Sequence, residues 1–315
     1  MKEIGGFFEL ELRDGKEYYN DLISLSSGRN ALLYLFQAKE ISKVYIPYYC
    51  CNAFIEPIEQ MNINYEFYNI DSNFYPIFNK NIKKNEYLIY INYFGINQNN
   101  CKKLRIEYDN LIIDNTQAFF SEPLSNVDSF YSPRKFFGVP DGGYLNTNIK
   151  LNKDIPRSYS YNKCKHLLKR ADINANTSYN LFKENEKSLN KEPIKQMSKL
   201  TEKLLCNINY QEIKQKRQEN FKKLHSNFEN INELEFDRKN INSPMAYPLL
   251  IKKIIKNKLI KKKIYIPTYW EEVLSRTKKS DFGNYLTNQL IPLPIDQRYN
   301  IDDMKRIINE VSKLI

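Results

Sequence analysis

The chain is poor in the residues that mark several common functional classes. It has two histidines, His166 and His225, and five cysteines, Cys50, Cys51, Cys101, Cys164 and Cys206. An odd cysteine count without framework spacing argues against a disulfide scaffold. So few histidines, with adjacent rather than CxxC-spaced Cys50 and Cys51, argue against a cysteine/histidine metal site. No stretch of about 18 apolar residues occurs, so no transmembrane helix is expected. The start, MKEIGGFFELEL, interrupts its apolar pattern with acids and lacks the core of a signal peptide, so a cytoplasmic protein is expected. Glycine is scarce too: nine in 315 residues, three of them between Gly138 and Gly143.

What is present is a foldable, basic chain. Apolar residues make up 42% and aromatics 14%, enough for a real core, and the length allows two domains. The net charge of +11 raises nucleic-acid binding as one reading. The lysines, however, are spread among asparagines and isoleucines. The densest run, KKIIKNKLIKKK at 252–263, has its isoleucines and leucine at helical spacing and reads as the solvated face of an amphipathic helix.

The first half alternates strand and helix signals. SSGRNALLYLFQAKEI reads as a loop entering a helix capped by Ser26 or Ser27, with Ala31, Leu32, Leu35 and Phe36 as its apolar stripe. KVYIP (43–47), NYEFYNID, YLIYINYF (87–94) and NLIIDNT (110–116) read as strands. YCCNAFIEPIEQM reads as a helix broken or kinked near Pro57, and NQNNCKKLRIEYD as a loop and short helix. This alternation predicts an α/β fold with a mostly parallel sheet flanked by helices. Such sheets gather functional residues at the carboxyl ends of their strands, where Gly95, Asp114 and Lys135 fall. From about residue 160 polar helices dominate. A strand-like AYPLLI, a short strand IYIP and a last helix in DDMKRIINEVSKLI then suggest a smaller C-terminal α/β domain. The division is placed as 1–195 and 196–315.

One loop stands apart. SFYSPRKFFGVPDGGYL, from Ser129 to Leu145, sets Lys135 between a proline and two phenylalanines and follows it with Gly142 and Gly143. A lysine in a partly desolvated pocket becomes a nucleophilic amine. An aspartate at a buried strand end, such as Asp114, can pair with a protonated ring nitrogen. A glycine opening a helix, such as Gly28, offers N–H groups to a phosphate. Pyridoxal phosphate needs these three things.

These segments resemble the DegT/StrS family of sugar aminotransferases. DNTQAFF resembles that family's DAAQA motif, the Lys135 loop its lysine loop, SSGRNAL its SGTxAL turn and YINYFG its VHLFG strand end. LIPLPIDQRYNIDDMKRII resembles its LPL segment and the acidic helix that follows. The order of motifs holds across nearly the whole chain. The resemblance implies a pyridoxal phosphate enzyme of fold type I, with the smaller C-terminal domain. It implies Lys135 as the lysine that carries the aldehyde, Asp114 as the ring-nitrogen partner and Gln117 as the residue against the cofactor. It assigns the phosphate to Gly28 and the backbone of Arg29 and Asn30, with a hydroxyl from Ser132 in preference to Ser129. An aromatic ring stacked on the cofactor falls to Tyr49, with Tyr48 as the alternative. Asn180, in SYN where the family has GYN, matches an asparagine that reaches a partner's phosphate. The implied reaction moves an amino group from an amino acid donor to a keto group on a nucleotide-linked sugar, by a homodimer acting in glycan precursor biosynthesis.

The sequence departs from the family pattern at Arg29, where threonine is usual, and at Phe119, where histidine is common. Arg29 could pair with phosphate or with a substrate carboxylate. Arg298 could bind a substrate carboxylate or make a surface ion pair, and Tyr269 and Trp270 could line a substrate mouth or pack in the core. Cys50 and Cys51 read as small buried hydrophobes. Another pyridoxal phosphate reaction on the same scaffold, such as decarboxylation or elimination, stays open, as does a non-catalytic binding protein that keeps the fold.

Overall fold

The computed structural model describes residues 4–237 and 240–315. The first three residues of the start that was read against a signal peptide lie outside this range. Among the described residues no helix is long and apolar enough to cross a membrane.

Eight of the described strands form one sheet: β1 (Ile23–Leu25), β2 (Lys43–Pro47), β3 (Asn64–Ile70), β4 (Pro76–Ile77), β5 (Glu86–Ile91), β6 (Leu111–Asp114), β7 (Asp128–Tyr131) and β8 (Gly143–Asn146). Their spatial order is β1-β8-β7-β6-β5-β2-β3-β4. The run β7-β6-β5-β2-β3 is parallel throughout, while β4, β8 and β1 pair antiparallel at the two margins. The central strands carry unbroken apolar runs, and Leu88 to Ile91 and Leu111 to Ile113 are all buried. That is the pattern of strands covered by helices on both faces. Each such side chain contributes about 1.5–3 kcal/mol of burial free energy.

The chain reverses its direction of travel across the sheet between β2 and β5. After β2 it proceeds to β3 and β4 on one side, then returns to β5, β6 and β7 on the other. This reversal opens a crevice beyond the carboxyl ends of the strands, the usual place for a ligand in an open α/β sheet.

The helix Gly28–Lys39 begins where its cap predicts. Ser27 is its N-cap, and its side chain accepts the Asn30 N–H. The helix Asn52–Gln60 carries Pro57 inside it. The connection after β5 forms a full helix, Gln98–Glu107. In the C-terminal part β9 (Ala246–Leu250) and β10 (Leu290–Pro294) pair antiparallel, and the helix Ile301–Ser312 starts with a capping box from Asn300 and Asp303. Two expectations are corrected. IYIP forms no strand: Ile264 and Ile266 are buried, but no neighbouring strand pairs with them. Helix occupies only Lys256–Lys261 of the basic run at 252–263.

Candidate active site

A cavity of about 560 Å³ lies at the crevice. Each of the central strands delivers a residue to it: Cys51 after β2, Ile91 from β5, Asp114 from β6 and Phe130 from β7. Lys135 enters from a short 3-10 turn, Pro133–Lys135, directly beyond β7.

The turn that offers Lys135 is held from several sides, and the two glycines after it explain themselves. Gly142 has φ +122, and a Cβ there would lie 2.8 Å from Pro133 Cγ. Its N–H donates to Ser26 O at 2.6 Å. Gly143 opens β8, and a Cβ there would lie 2.5 Å from the carbonyl carbon and oxygen of Ser27 and 2.9 Å from Gly28 N. The pair therefore lets the lysine loop close directly onto the start of the helix at Gly28. We expect Gly143→Ala to cost about 2–3 kcal/mol, because backbone must move to admit the methyl. Urea denaturation measures this, and an unchanged midpoint would show that the contact yields freely. The acid before the glycines is structural. Asp141 is fully buried and accepts from the hydroxyls of Ser198, at 2.9 Å, and Thr201.

Asp114 ends β6 and is buried, with Oδ1 accepting the Thr116 N–H at 2.7 Å. Burial pushes its carboxyl above its ordinary value, against the pull of Lys135 and of the Thr116 hydroxyl and N–H, which favour the ionised form. Lys135 is accessible to solvent on the cavity wall, with its amine in a part-buried bond. Its Nζ donates to Thr116 Oγ1 at 2.9 Å.

The remaining residues assigned from sequence fall into two groups. Gly28, Arg29, Gln117 and Ser132 line the same cavity as Asp114 and Lys135. Gln117 is buried, and its Oε1 accepts the Phe94 N–H at 2.8 Å from the turn that Gly95 closes. Ser132 lies on the wall, whereas Ser129 is buried against the Tyr131 hydroxyl. Arg29 is held at its far end by Glu56, 3.5 Å away, and by Asn190 Oδ1 at 3.2 Å.

Asn30, Tyr49 and Asn180 do not line the cavity. The Asn30 N–H is taken by its own cap, Ser27, and its side chain bonds Glu192 O and Lys195 N, so it braces the turn instead. Tyr49 is buried in an aromatic cluster, tilted against Tyr93 at 5.5 Å and edge-on to Trp270 at 4.8 Å between ring centres. Tyr48 stacks on Phe67. The residues that this segment presents to the cavity are Cys51, Ala53 and Phe54. Asn180 is exposed on the helix Ala175–Ser188, whose Phe182 and Glu186 reach the cavity.

Of the wall residues, sequence reasoning left out Arg134, Glu186 and Asp296, while Arg298, Tyr269 and Trp270, named there with two readings each, do reach the cavity. Arg134 pairs with Glu186 across the mouth. Arg298 grips Asp296 in a two-pronged ion pair, at 2.7 and 2.8 Å, and both line the cavity. Tyr269 and Trp270 also face it while packing on Phe94 and Tyr49. Behind the wall sits Arg217, almost wholly buried. It donates to the carbonyls of Pro244, Met245 and Phe136, and its Nε reaches Gln297 Oε1 at 3.1 Å. Gln297 in turn donates to Phe136 O at 2.7 Å. Burial lowers the Arg217 guanidinium to about 10. Arg217 and Gln297 thus tie the C-terminal part to the residue after Lys135. Nothing in its charged helical stretch marks Arg217 in advance, since its neighbours there are solvated lysines and glutamates.

No protein-family model matches the sequence, and no curated protein matches it. Solved structures do. The chain is similar to the PMP form of Spr1654 from Streptococcus pneumoniae, with TM-score 0.65 and 13% identity over 93% of this chain and 85% of that one. It is similar to PseC of Helicobacter pylori, an aminotransferase involved in the biosynthesis of pseudoaminic acid, with TM-score 0.63 and 16% identity over 93% and 86%. It is also similar to DesV of S. venezuelae in complex with a ketimine intermediate, with TM-score 0.64 and 12% identity over 93% and 84%. At such identities the likeness is one of fold. The chain has the α/β fold of the fold type I pyridoxal phosphate-dependent aminotransferases.

Proposed function

We propose that this chain is a pyridoxal phosphate-dependent aminotransferase that transfers an amino group from an amino acid to a keto group on a nucleotide-linked sugar, in glycan precursor biosynthesis. The observation that carries the reading is the meeting of Lys135, Asp114 and the helix start at Gly28 in one cavity. The residues fit the cofactor. The helix start leaves its first N–H groups without intrahelical acceptors, and a Cβ on Gly28 would press on Thr116 Cγ2 at 3.3 Å, so glycine keeps this approach open.

Gly28 and Arg29 would hold the phosphate through their N–H groups, with the Ser132 hydroxyl as a third donor. Asp114 would hold the ring nitrogen's proton, and Gln117 would lie against the ring. Bound there, pyridoxal phosphate supplies an aldehyde for an amine and a ring that accepts an electron pair. Lys135 would carry the aldehyde and, once free, move the proton at the substrate's α-carbon. The arginines of the wall, Arg29, Arg134 and Arg298, are each already paired with an acid, so charged substrate groups would exchange partners with Glu56, Glu186 or Asp296 rather than meet bare cations.

A homodimer belongs to the proposal. The helix Ala175–Ser188 exposes Tyr179 beside Asn180 while its Phe182 and Glu186 line the cavity, so a second copy set on this helix would lie next to the site. A cytoplasmic location is proposed on the same footing.

The test is isotopic. Protein loaded with pyridoxal phosphate is given 15N-glutamate and a panel of nucleotide-linked keto sugars, and the products are weighed. Label in an amino sugar supports the reading. Carbon dioxide release or elimination from the amino acid moves it to another reaction of the same cofactor. Failure to hold the cofactor moves it to a non-catalytic protein of this fold.

A further inference from the structure

Thr116 meets three parts of the proposed site, Lys135, Asp114 and the approach at Gly28. Its hydroxyl accepts from Lys135 Nζ at 2.9 Å, its N–H donates to Asp114 Oδ1 at 2.7 Å, and its methyl is the atom a Cβ on Gly28 would meet first. It is buried and on the cavity wall. Its place in the chain follows from local geometry. β6 ends at Asp114, and the chain turns directly after it at Asn115–Ala118, closed by Ala118 N–H to Asn115 O at 2.8 Å.

We propose that Thr116 is a positioning residue for Lys135: its hydroxyl is the acceptor on which the lysine amine rests whenever that amine carries no aldehyde. The inference rests on the cofactor reading above. A free ammonium has three N–H donors and needs acceptors. When the amine nitrogen bonds the aldehyde carbon, one water leaves and the nitrogen keeps at most one of its hydrogens, so its bonding to Thr116 is weakened. Amino transfer would free Lys135 once per full cycle, from displacement by the donor until the aldehyde is regenerated, and Thr116 gives the amine a fixed place through that interval, from which to take up and return a proton. Thr116 Oγ1 is the acceptor that Lys135 Nζ bonds in this structure. The nearby hydroxyl of Ser132 is the one assigned to the phosphate, and Gln117 Oε1 is committed to Phe94.

The proposal predicts a difference between two cofactor forms. Pyridoxal phosphate bonds Lys135 and weakens the contact with Thr116, while pyridoxamine phosphate has no aldehyde and leaves it in place. Thr116→Val keeps the shape and removes the hydroxyl; Thr116→Ser keeps the hydroxyl. The only tryptophan, Trp270, lies on the cavity wall, so its fluorescence follows occupancy without any turnover. Cofactor-free protein is titrated with each form. We expect Thr116→Val to favour pyridoxal phosphate over pyridoxamine phosphate by roughly fivefold more than the wild type does, as removal of one hydrogen bond to a partly exposed charge requires. Thr116→Ser should leave the wild-type ratio in place. A ratio unchanged in Thr116→Val, or moved equally by Thr116→Ser, overturns the inference while leaving the cofactor reading intact. A wild type that binds neither form overturns both.

Discussion

Lys135→Ala should abolish amino transfer, by at least about 10⁴-fold, while leaving the protein folded. The two halves of this expectation have separate grounds. Lys135 is accessible to solvent, and the bond its amine makes is to Thr116. Truncating such a side chain usually changes stability by no more than about 0.5 kcal/mol. The loop around it is held by other groups: the glycines against Ser27, and Arg217 and Gln297 on Phe136 O. Lys135→Arg should not rescue activity, because a guanidinium keeps its proton and cannot act as the nucleophile. Thermal melting and a transamination assay on the same preparations check both halves. A variant that melts like the wild type and still transfers amino groups would remove Lys135 from the chemistry.

Asp114→Asn should move activity and stability in opposite directions. The amide still accepts the Thr116 N–H, so the turn at Asn115–Ala118 is kept, but it cannot hold a positive ring nitrogen by charge. We expect a loss of about 10³-fold in turnover, the scale of removing one preorganised electrostatic contact. Stability of the cofactor-free protein should rise. Burial raises the Asp114 carboxyl above its ordinary 3.8, so ionising it costs more in the folded chain than in the unfolded one. Its contribution is therefore favourable below pH 3.8 and is lost as pH rises through the raised folded value. Wild type and Asp114→Asn should coincide in stability at acid pH, with the variant pulling ahead as pH increases beyond 3.8. Urea midpoints measured across pH test this. A variant less stable than wild type at neutral pH would show that the charge of Lys135 outweighs the burial.

How far the sequence foretold the molecule depends on how local each cause is. The cap at Ser27, the strand KVYIP and the buried runs of β5 and β6 were readable, because apolar periodicity and capping act over a few residues. The Lys135 loop was readable for a different reason. Glycine is scarce in the chain, and the structure gives Gly142 a ring and Gly143 a backbone that a methyl would strike. What stayed hidden depends on neighbours distant in sequence. Tyr49 was drawn away from the cavity by Tyr93 and Trp270, more than 40 and 200 residues on, and Cys51, Ala53 and Phe54 line it instead. IYIP had the composition of a strand but no partner beside it. Thr116 was in plain view between Asp114 and Gln117, yet a threonine in a turn carries no mark of the lysine it meets nineteen residues later. Arg217 could be found only once the fold had carried its helix beneath Phe136.

The central claim is that Lys135 carries the aldehyde of pyridoxal phosphate. The most direct measurement is to add pyridoxal phosphate to the purified protein, record the visible spectrum, reduce with borohydride and map the adduct by mass spectrometry. A yellow protein with the adduct on Lys135 is the predicted result. A colourless protein, or adducts scattered over the many surface lysines, would contradict it.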